Sequence, residues 1–487
     1  MQSGRGISAG GGPWWRDAVA YQIYPRSFQD SDGDGVGDLR GVIERLDHLA
    51  WLGVDALWLS PIHPSPDADL GYDVSDYESV DPRLGALADF ERLAEAAHSR
   101  GIRVLLDLVA SHTSIEHPWF RDHPDRYIWS DDGPANNWRA TFGGSAWTRD
   151  ERSRRWYLHS FFPEQPDLDW RNAAVREAIG DVVRLWRRRG ADGFRIDAAD
   201  RLIKDAELRD DPPATQPFPL PLHDEHARLD HVHSRDDPEV WIALRALAEG
   251  AEGAPLVGEV YLPNEALHAY LEHLQLVFSF EFMHSPWQAD SLRDAIAGAA
   301  DLGGVAWVLS NHDFPRLATH VGEERTRIAA LLLLTLPGAA FLYQGDEIGM
   351  TDGPGADPPR DRAGRDAHRH PMQWEPRADG GFTSGQPWLP LVDPEFRSVA
   401  GQRDDPESLL GLYRRLIELR RELGEGFRLL DAPEGVLAYE RGEHVVALNL
   451  GDETTPVPSG HELVLATRPG AGKRELAPNA GVIARPK

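Results

Sequence analysis

Short apolar runs of strand length recur along the chain, and stretches with helical apolar spacing, such as 41–52 and 84–100, separate many of them. The strand-like runs are 18–23 (AVAYQI), 56–60 (ALWLS), 103–109 (RVLLDLV), 193–197 (GFRID), 255–260 (PLVGEV), 276–280 (LVFSF), 305–310 (VAWVLS) and 339–343 (AAFLY). Eight strands with helical connections are the signature of an α/β fold, the parallel (β/α)8 or TIM barrel. Residues 112–170 break the alternation. They are rich in Pro, Asp, Asn, Trp and Gly, and are too long for a plain loop, so they predict a small inserted domain after the third strand. From about 427 the pattern changes again: VLAYER, HVVALNL, HELVLA and GVIAR alternate like strands and predict a C-terminal antiparallel β-domain. The division is therefore a barrel of 1–111 and 171–426, an insertion of 112–170 and a β-tail of 427–487. Residues 205–240 and 351–398 read as long polar barrel loops.

Composition adds limits. A chain of 487 residues suggests about three domains, and 41% apolar with 27% charged residues is globular rather than disordered. The net charge of −28 argues against nucleic acid or an anionic membrane as partner. With no cysteine, disulfides, thiolate metal sites and cysteine nucleophiles are excluded. Only Lys204, Lys473 and Lys487 among the 51 basic residues are lysine, a bias of composition rather than function. Residues 1–15 hold no apolar stretch of signal-peptide length. The longest apolar run, 328–343, is broken by Thr335, Pro337 and Gly338 and falls short of a membrane span. The expectation is a cytoplasmic protein.

Barrel chemistry gathers at the C-terminal ends of the strands. Asp107 and His112 follow RVLL, Arg195 and Asp197 close GFRID, Glu259 closes PLVGE, and His312 and Asp313 follow VAWVLSN. Taken singly, each is as readily a helix cap or a structural histidine; the coincidence on four strands points to chemistry. Arg195 and Asp197, two apart on a strand, share a face, and the arginine is expected to lower the Asp197 pKa and keep it ionised. Glu259, beside the charges of Asp197 and Asp313, is expected to be raised. A protonated acid near an ionised one is the division of labour in retaining glycoside hydrolysis. No Walker loop, dinucleotide glycine fingerprint or HExxH competes with it.

The motifs DLVASH (107–112), GFRIDAAD (193–200), GEVY (258–261), SNHDFPR (310–316) and QPDLDW (165–170), supported by GVDALWLSP (53–61) and YQGDEIGM (343–350), give the chain its resemblance. It resembles glycoside hydrolase family 13, the α-amylase superfamily, in its α-glucosidase and oligo-1,6-glucosidase branch, from residue 14 to about 374 and more weakly through the tail. The resemblance implies Asp197 as nucleophile, Glu259 as acid and base, and Asp313 as the carboxylate gripping the sugar hydroxyls. It implies Arg195, His112 and His312 as hydrogen-bonding partners of the bound glucose, Asp69 and Tyr72 as terminal-glucose recognition residues, Arg369 as the arginine that closes the pocket, and Phe142 as a subsite wall. A closed pocket implies exo-action on short substrates.

The loop DSDGDGVGD (30–38) carries acids at alternating positions, a hard-cation pattern, although Gly41 at its twelfth position rules out an EF-hand. The resemblance implies a structural Ca2+, with Mg2+ as the alternative, held by Asp30, Asp32, Asp34, the Val36 carbonyl and Asp38, and no organic cofactor. Departures from the family pattern are Ser111, where Asn is usual, and Asp169 in QPDLD. Ala198 after the nucleophile goes with α-1,4 substrates, where valine goes with α-1,6. Trp51 and Trp58 are expected in the core, while Trp119, Trp129, Trp138 and Trp147 are candidates for stacking on sugar. The expected function is a retaining exo-α-glucosidase acting on small oligosaccharides or α-glucosides as a monomer or homodimer. The alternatives are a transglucosidase or a sucrose- or α-1,6-acting enzyme and, remotely, a non-catalytic binding subunit.

Overall fold

The computed structural model describes residues 12–215, 225–457, 461–468 and 475–487. All eight expected strands form: β1 (Val19–Ile23), β2 (Ala56–Leu59), β3 (Arg103–Leu108), β4 (Gly193–Ile196), β5 (Leu256–Gly258), β6 (Leu276–Phe278), β7 (Val305–Val308) and β8 (Ala339–Tyr343). They pair in parallel in chain order, and β8 closes on β1. The outer helices are α1 (Leu39–Leu52), α2 (Leu87–Ser99), α3 (Ala173–Arg189), α4 (Trp241–Ala251), α5 (Leu267–Leu271), α6 (Ala289–Ala300), α7 (Thr326–Thr335) and α8 (Leu409–Arg420).

Strand alternation explains why the barrel carries chemistry at one end. Inward-facing Ala56, Trp58, Leu105, Val257, Phe278, Val308 and Phe341 fill the barrel. Two residues on from Leu105 is Asp107 and two on from Val257 is Glu259, so each acid continues an apolar file and emerges at the rim. The β3–β4 register sets Asp107 beside Arg195 and Leu105 beside Gly193. Only glycine fits at 193, because a Cβ there would lie 2.5 Å from the Pro255 carbonyl oxygen.

The insertion holds a three-stranded antiparallel sheet of Trp129–Ser130, Trp156–Leu158 and Trp147–Arg149. The described residues of the tail hold a five-stranded sheet, whose first strand, Phe427–Leu430, was not among the expected ones, and a two-stranded sheet of Thr455–Pro456 and Glu475–Leu476. Helix α7 lies against the tail sheet: a Cβ on Gly481 would come 2.3 Å from Leu331. All of α7 but Arg327 is buried, which is why the sequence there lacks a polar face. No helix among the described residues is long and apolar enough to cross a membrane. Of the leader segment considered above, residues 1–11 lie outside the described residues, as do 216–224 of the loop 205–240.

Candidate active site

Asp107, Arg195, Asp197 and Glu259 meet in one buried cluster at the ends of β3, β4 and β5. Arg195 Nη1 donates to Asp107 Oδ1 at 2.8 Å and to Asp197 Oδ1 at 2.6 Å, while its Nη2 lies 2.5 Å from Glu259 Oε1. The guanidinium rests over Trp58, 5.1 Å from the ring centroid, and Trp58 Nε1 donates to Asp107 Oδ2 at 3.2 Å. Trp58 is thus core, as expected, and also the floor of the site. Glu259 Oε2 accepts the Ala198 N–H at 2.8 Å, and Oε1 accepts the Tyr261 hydroxyl at 3.1 Å.

Three buried carboxylates share one guanidinium, and its opposing charge does not offset their loss of water. Burial, opposed by Arg195, pushes Asp107 up to about 6, Asp197 up to about 7 and Glu259 up to about 8. The raised Glu259 matches expectation. Asp197 does not: Arg195 alone was expected to hold it low, but its charge is divided three ways and loss of water outweighs its share. The order still leaves the last proton on Glu259. At Asp313 burial raises the pKa, yet the guanidinium groups of Arg365 and Arg369 outweigh it and hold the carboxyl well below the usual range.

Asp313 is gripped by two arginines from the loop after β8. Arg365 Nη1 lies 2.9 Å from Asp313 Oδ1, Arg365 Nη2 ion-pairs with Asp69, and Arg365 Nε holds Asp361 at 2.7 Å. Arg369 Nη2 lies 3.0 Å from the same Asp313 oxygen and its Nε donates to the His312 carbonyl at 2.9 Å. The expectation that Arg369 closes the pocket is corrected here. Arg369 is fully buried behind Asp313, and Arg365, four residues earlier in RDAHR, faces the cavity. Tyr72 stacks on His312 with centroids 5.3 Å apart, and its hydroxyl sits 2.6 Å from His312 Nε2 and donates to Asp107 Oδ2 at 3.0 Å. Burial holds both His312 and His112 below the usual imidazole range, so the rings are neutral hydrogen-bonding groups. Gln165 Nε2 joins Asp69 Oδ2 and His112 Nε2, each at 3.0 Å.

These groups surround a cavity of about 400 Å3, the size of a small-ligand site. Asp69, Tyr72, His112, Phe142, Asp197, Ala198, Glu259 and Asp313 line it, so the expected residues largely converge. Phe161, Phe162, Tyr261, Phe314, Arg201, Arg362 and Arg365 also line it and were not assigned from sequence, although FF stands just before the QPDLDW motif. Trp119, Trp129, Trp138 and Trp147 do not line it. Their packing is structural: Trp138 Nε1 donates to the Arg209 carbonyl at 2.9 Å, Trp147 Nε1 to Asn136 at 2.8 Å and Trp129 Nε1 to the Pro124 carbonyl at 2.7 Å, and Arg126 covers Trp119. Ser111 bonds His112 Nδ1 at 2.7 Å, and Asp169 accepts the Arg171 N–H at 3.0 Å in the turn before α3.

In the acidic loop, Asp30, Asp32 and Asp38 each offer an oxygen within 4.8 Å of the others. Asp30 accepts from the backbone N–H groups of Asp32, Gly33 and Gly35 and from the Thr383 hydroxyl, whereas Asp32 and Asp34 each direct one oxygen to the loop backbone. Asp38 is also the N-cap of α1, accepting the Gly41 N–H at 2.8 Å. Among the described residues no arginine or lysine pairs with any of these four acids at ion-pair distance.

The family model described as Alpha amylase, catalytic domain, matches residues 22–426. A "Probable alpha-glucosidase" of Rhizobium meliloti (strain 1021) is 40% identical over 84% of this chain and 82% of its own length. The Oligo-1,6-glucosidase of Parageobacillus thermoglucosidasius is 34% identical over 91% of both chains. A crystal structure of the alpha-glucosyl transfer enzyme XgtA superposes with a TM-score of 0.91 at 37% identity, covering 98% of this chain and 100% of that one.

Proposed function

The chain belongs to the α-amylase family and is a glycoside hydrolase; from that premise we propose that it is an exo-acting, retaining α-glucosidase of short oligosaccharides and α-glucosides. The observation that carries the reading is the Arg365–Asp69 ion pair, which joins two loops in the lining of the same cavity as Asp197 and Glu259 and so closes it. A terminal glucose fits such a pocket, and the interior of a chain does not.

The chemistry follows from the protonation order. The ionised Asp197 carboxylate attacks the anomeric carbon while Glu259 gives its proton to the leaving oxygen, and the glycosidic bond breaks. Asp313, held ionised by its arginines, takes the hydroxyls beside the reacting carbon. Water then attacks the β-glucosyl ester, Glu259 accepts its proton, Asp197 leaves as carboxylate, and the product keeps the α-configuration. Ala198 leaves room beside the nucleophile, which supports an α-1,4 preference. Arg195 holding both acids supports the close spacing that retention requires.

A second reading shares the first half-reaction: a sugar rather than water takes the glucosyl group. The neighbouring rings of Tyr261 and Phe314 in the cavity lining support it, as does the likeness to a transfer enzyme. The four unpaired aspartates of the 30–38 loop suit a hard divalent cation. Asp30, Asp32, Asp34, the Val36 carbonyl and Asp38 would hold Ca2+ or Mg2+, which would neutralise their repulsion and brace the start of α1. A chain without cysteine has no disulfide to form, and the proposal puts the enzyme in the cytoplasm.

A panel of aryl α-glucoside, maltose, maltotriose, isomaltose, sucrose and trehalose tests the reading. The expected result is release of α-glucose, seen by proton NMR before mutarotation, with maltose ahead of isomaltose. β-Glucose as first product, or attack confined to long internal linkages, overturns it.

A further inference from the structure

Lys204 Nζ and Asp167 Oδ2 form a 2.7 Å ion pair, and the two side chains are 1% and 0% exposed. Lys204 lies on the loop after β4, seven residues beyond Asp197; Asp167 lies where the insertion returns to the barrel. Neither lines the cavity. Asp167 reaches it through others. Its Oδ1 accepts the Ser160 N–H at 3.0 Å and its Oδ2 the Ser160 hydroxyl at 2.6 Å. The Ser160 carbonyl in turn accepts the Thr141 N–H at 2.8 Å and its hydroxyl at 3.0 Å. Ser160 precedes Phe161 and Phe162, and Thr141 precedes Phe142. The Phe142 and Phe162 rings stack with centroids 4.4 Å apart, and all three phenylalanines line the cavity.

Two physical arguments single the pair out. Burying two charges costs about as much as their attraction returns, so apolar residues of equal volume would serve stability as well; a role in setting geometry accounts for the pair. The second is composition. This chain carries 48 arginines and three lysines, and of the lysines Lys487 is exposed at the terminus while Lys204 is enclosed. A lysine at this enclosed site marks a space for a compact ammonium rather than a planar fork.

We propose that Lys204 and Asp167 are a positioning pair. The ammonium on the nucleophile loop fixes Asp167, and Asp167, through Ser160 and Thr141, sets the Phe142–Phe161–Phe162 wall relative to Asp197. The proposal rests on the glucosidase reading of the cavity. A wall that touches the sugar equally before and during reaction contributes to binding rather than to the chemical step, so its displacement appears in KM.

The test compares K204M, the double variant K204M/D167N and S160A with the wild type, reading kcat and KM on maltose and an aryl α-glucoside together with Tm. K204M leaves a buried, unpaired carboxylate, so Tm falls and KM rises about tenfold, with kcat within about twofold. The double variant removes that charge, and Tm recovers while KM stays raised. S160A disturbs no charge and raises KM about threefold with little change in Tm. KM returning to the wild-type value along with Tm in the double variant, or an unaltered KM in S160A, overturns the proposal. Amide hydrogen exchange at residues 160–162 reads the wall without substrate and is expected to quicken in all three variants; unchanged exchange overturns the pair as well. A wild type that turns over none of the α-glucosides defeats the glucosidase reading alone.

Discussion

Arg365 ion-pairs with Asp69 in the cavity lining, tying the loop after β8 to the loop after β2, and the same guanidinium holds Asp313 at 2.9 Å. Replacing it with methionine leaves two carboxylates facing the sugar with less compensation. R365M is expected to lose about 100-fold or more in kcat/KM on an aryl α-glucoside, about 3 kcal/mol of transition-state stabilisation. R365K keeps the charge but not the fork that serves Asp69, Asp313 and Asp361 together, and recovers only a small part. Kinetics of R365M within threefold of wild type would remove the pair from the pocket.

Protonation order sets the pH profile. The reactive form has Asp197 ionised and Glu259 protonated, and the two carboxyls titrate as a pair at about 7 and about 8. The profile of kcat/KM is expected to be a narrow bell, rising as Asp197 ionises and falling as Glu259 loses its proton. D197N removes turnover. A flat profile from pH 5 to 9 contradicts the assignment.

The same shift has a stability sign. Glu259 is raised on folding, so between its ordinary range and about 8 the folded state holds a proton that the unfolded state has released. The stability associated with that proton is complete in acid and drains away as pH rises through this window. E259Q, which cannot ionise, is therefore expected to match the wild-type Tm near pH 4 and to exceed it near pH 8, while losing turnover. Thermal melts of both proteins at the two pH values decide it; equal Tm at pH 8 sinks the shift.

The barrel was legible because its signal is repeated: eight runs of alternating or continuous apolar residues, three of which (103–109, 193–197 and 255–260) carry an acid near the C-terminal end. Asp107, Asp197 and Glu259 could be placed for that reason alone. Arg365 could not be separated from Arg369, since RDAHR lies in irregular chain where no period says which side chain points inward. The four insertion tryptophans misled for the converse reason. An indole with its N–H bonded to a backbone carbonyl, as in Trp129 and Trp138, looks in sequence like one waiting for a sugar. The pKa of Asp197 needed the count of acids on Arg195, which only the folded register of β3, β4 and β5 supplies.

The acidic loop predicts a response to chelation. A cation bound to the folded loop alone stabilises it by mass action, and the loop lies at the start of α1, with none of its residues lining the cavity. EDTA is expected to lower Tm by a few degrees while leaving kcat at 25 °C nearly unchanged, and D32N/D34N is expected to lower Tm and abolish the EDTA effect. Immediate, reversible loss of turnover on chelation contradicts a structural role.

Arg441 of the tail sheet and Arg420 of α8 meet at the C-terminal end of α7. Arg441 Nη1 donates to the Thr335 carbonyl at 3.1 Å and to the Leu336 carbonyl at 2.5 Å, and its Nη2 pairs with Asp17 at 3.3 Å. Arg420 reaches the Leu334, Leu336 and Gly338 carbonyls from α8. Helix ends leave such carbonyls without partners, and here burial denies them water. R441M orphans Thr335 but leaves Leu336 to Arg420, so it is expected to cost about 2 kcal/mol. R420M strips Leu334 and Gly338 together and is expected to cost about 3–4 kcal/mol. Both variants, assayed below their transitions, should keep wild-type kcat per folded molecule, because neither arginine lines the cavity. Denaturant melts give the two costs, and a larger loss in R441M than in R420M would show that the Asp17 pair, not the helix end, anchors the sheet.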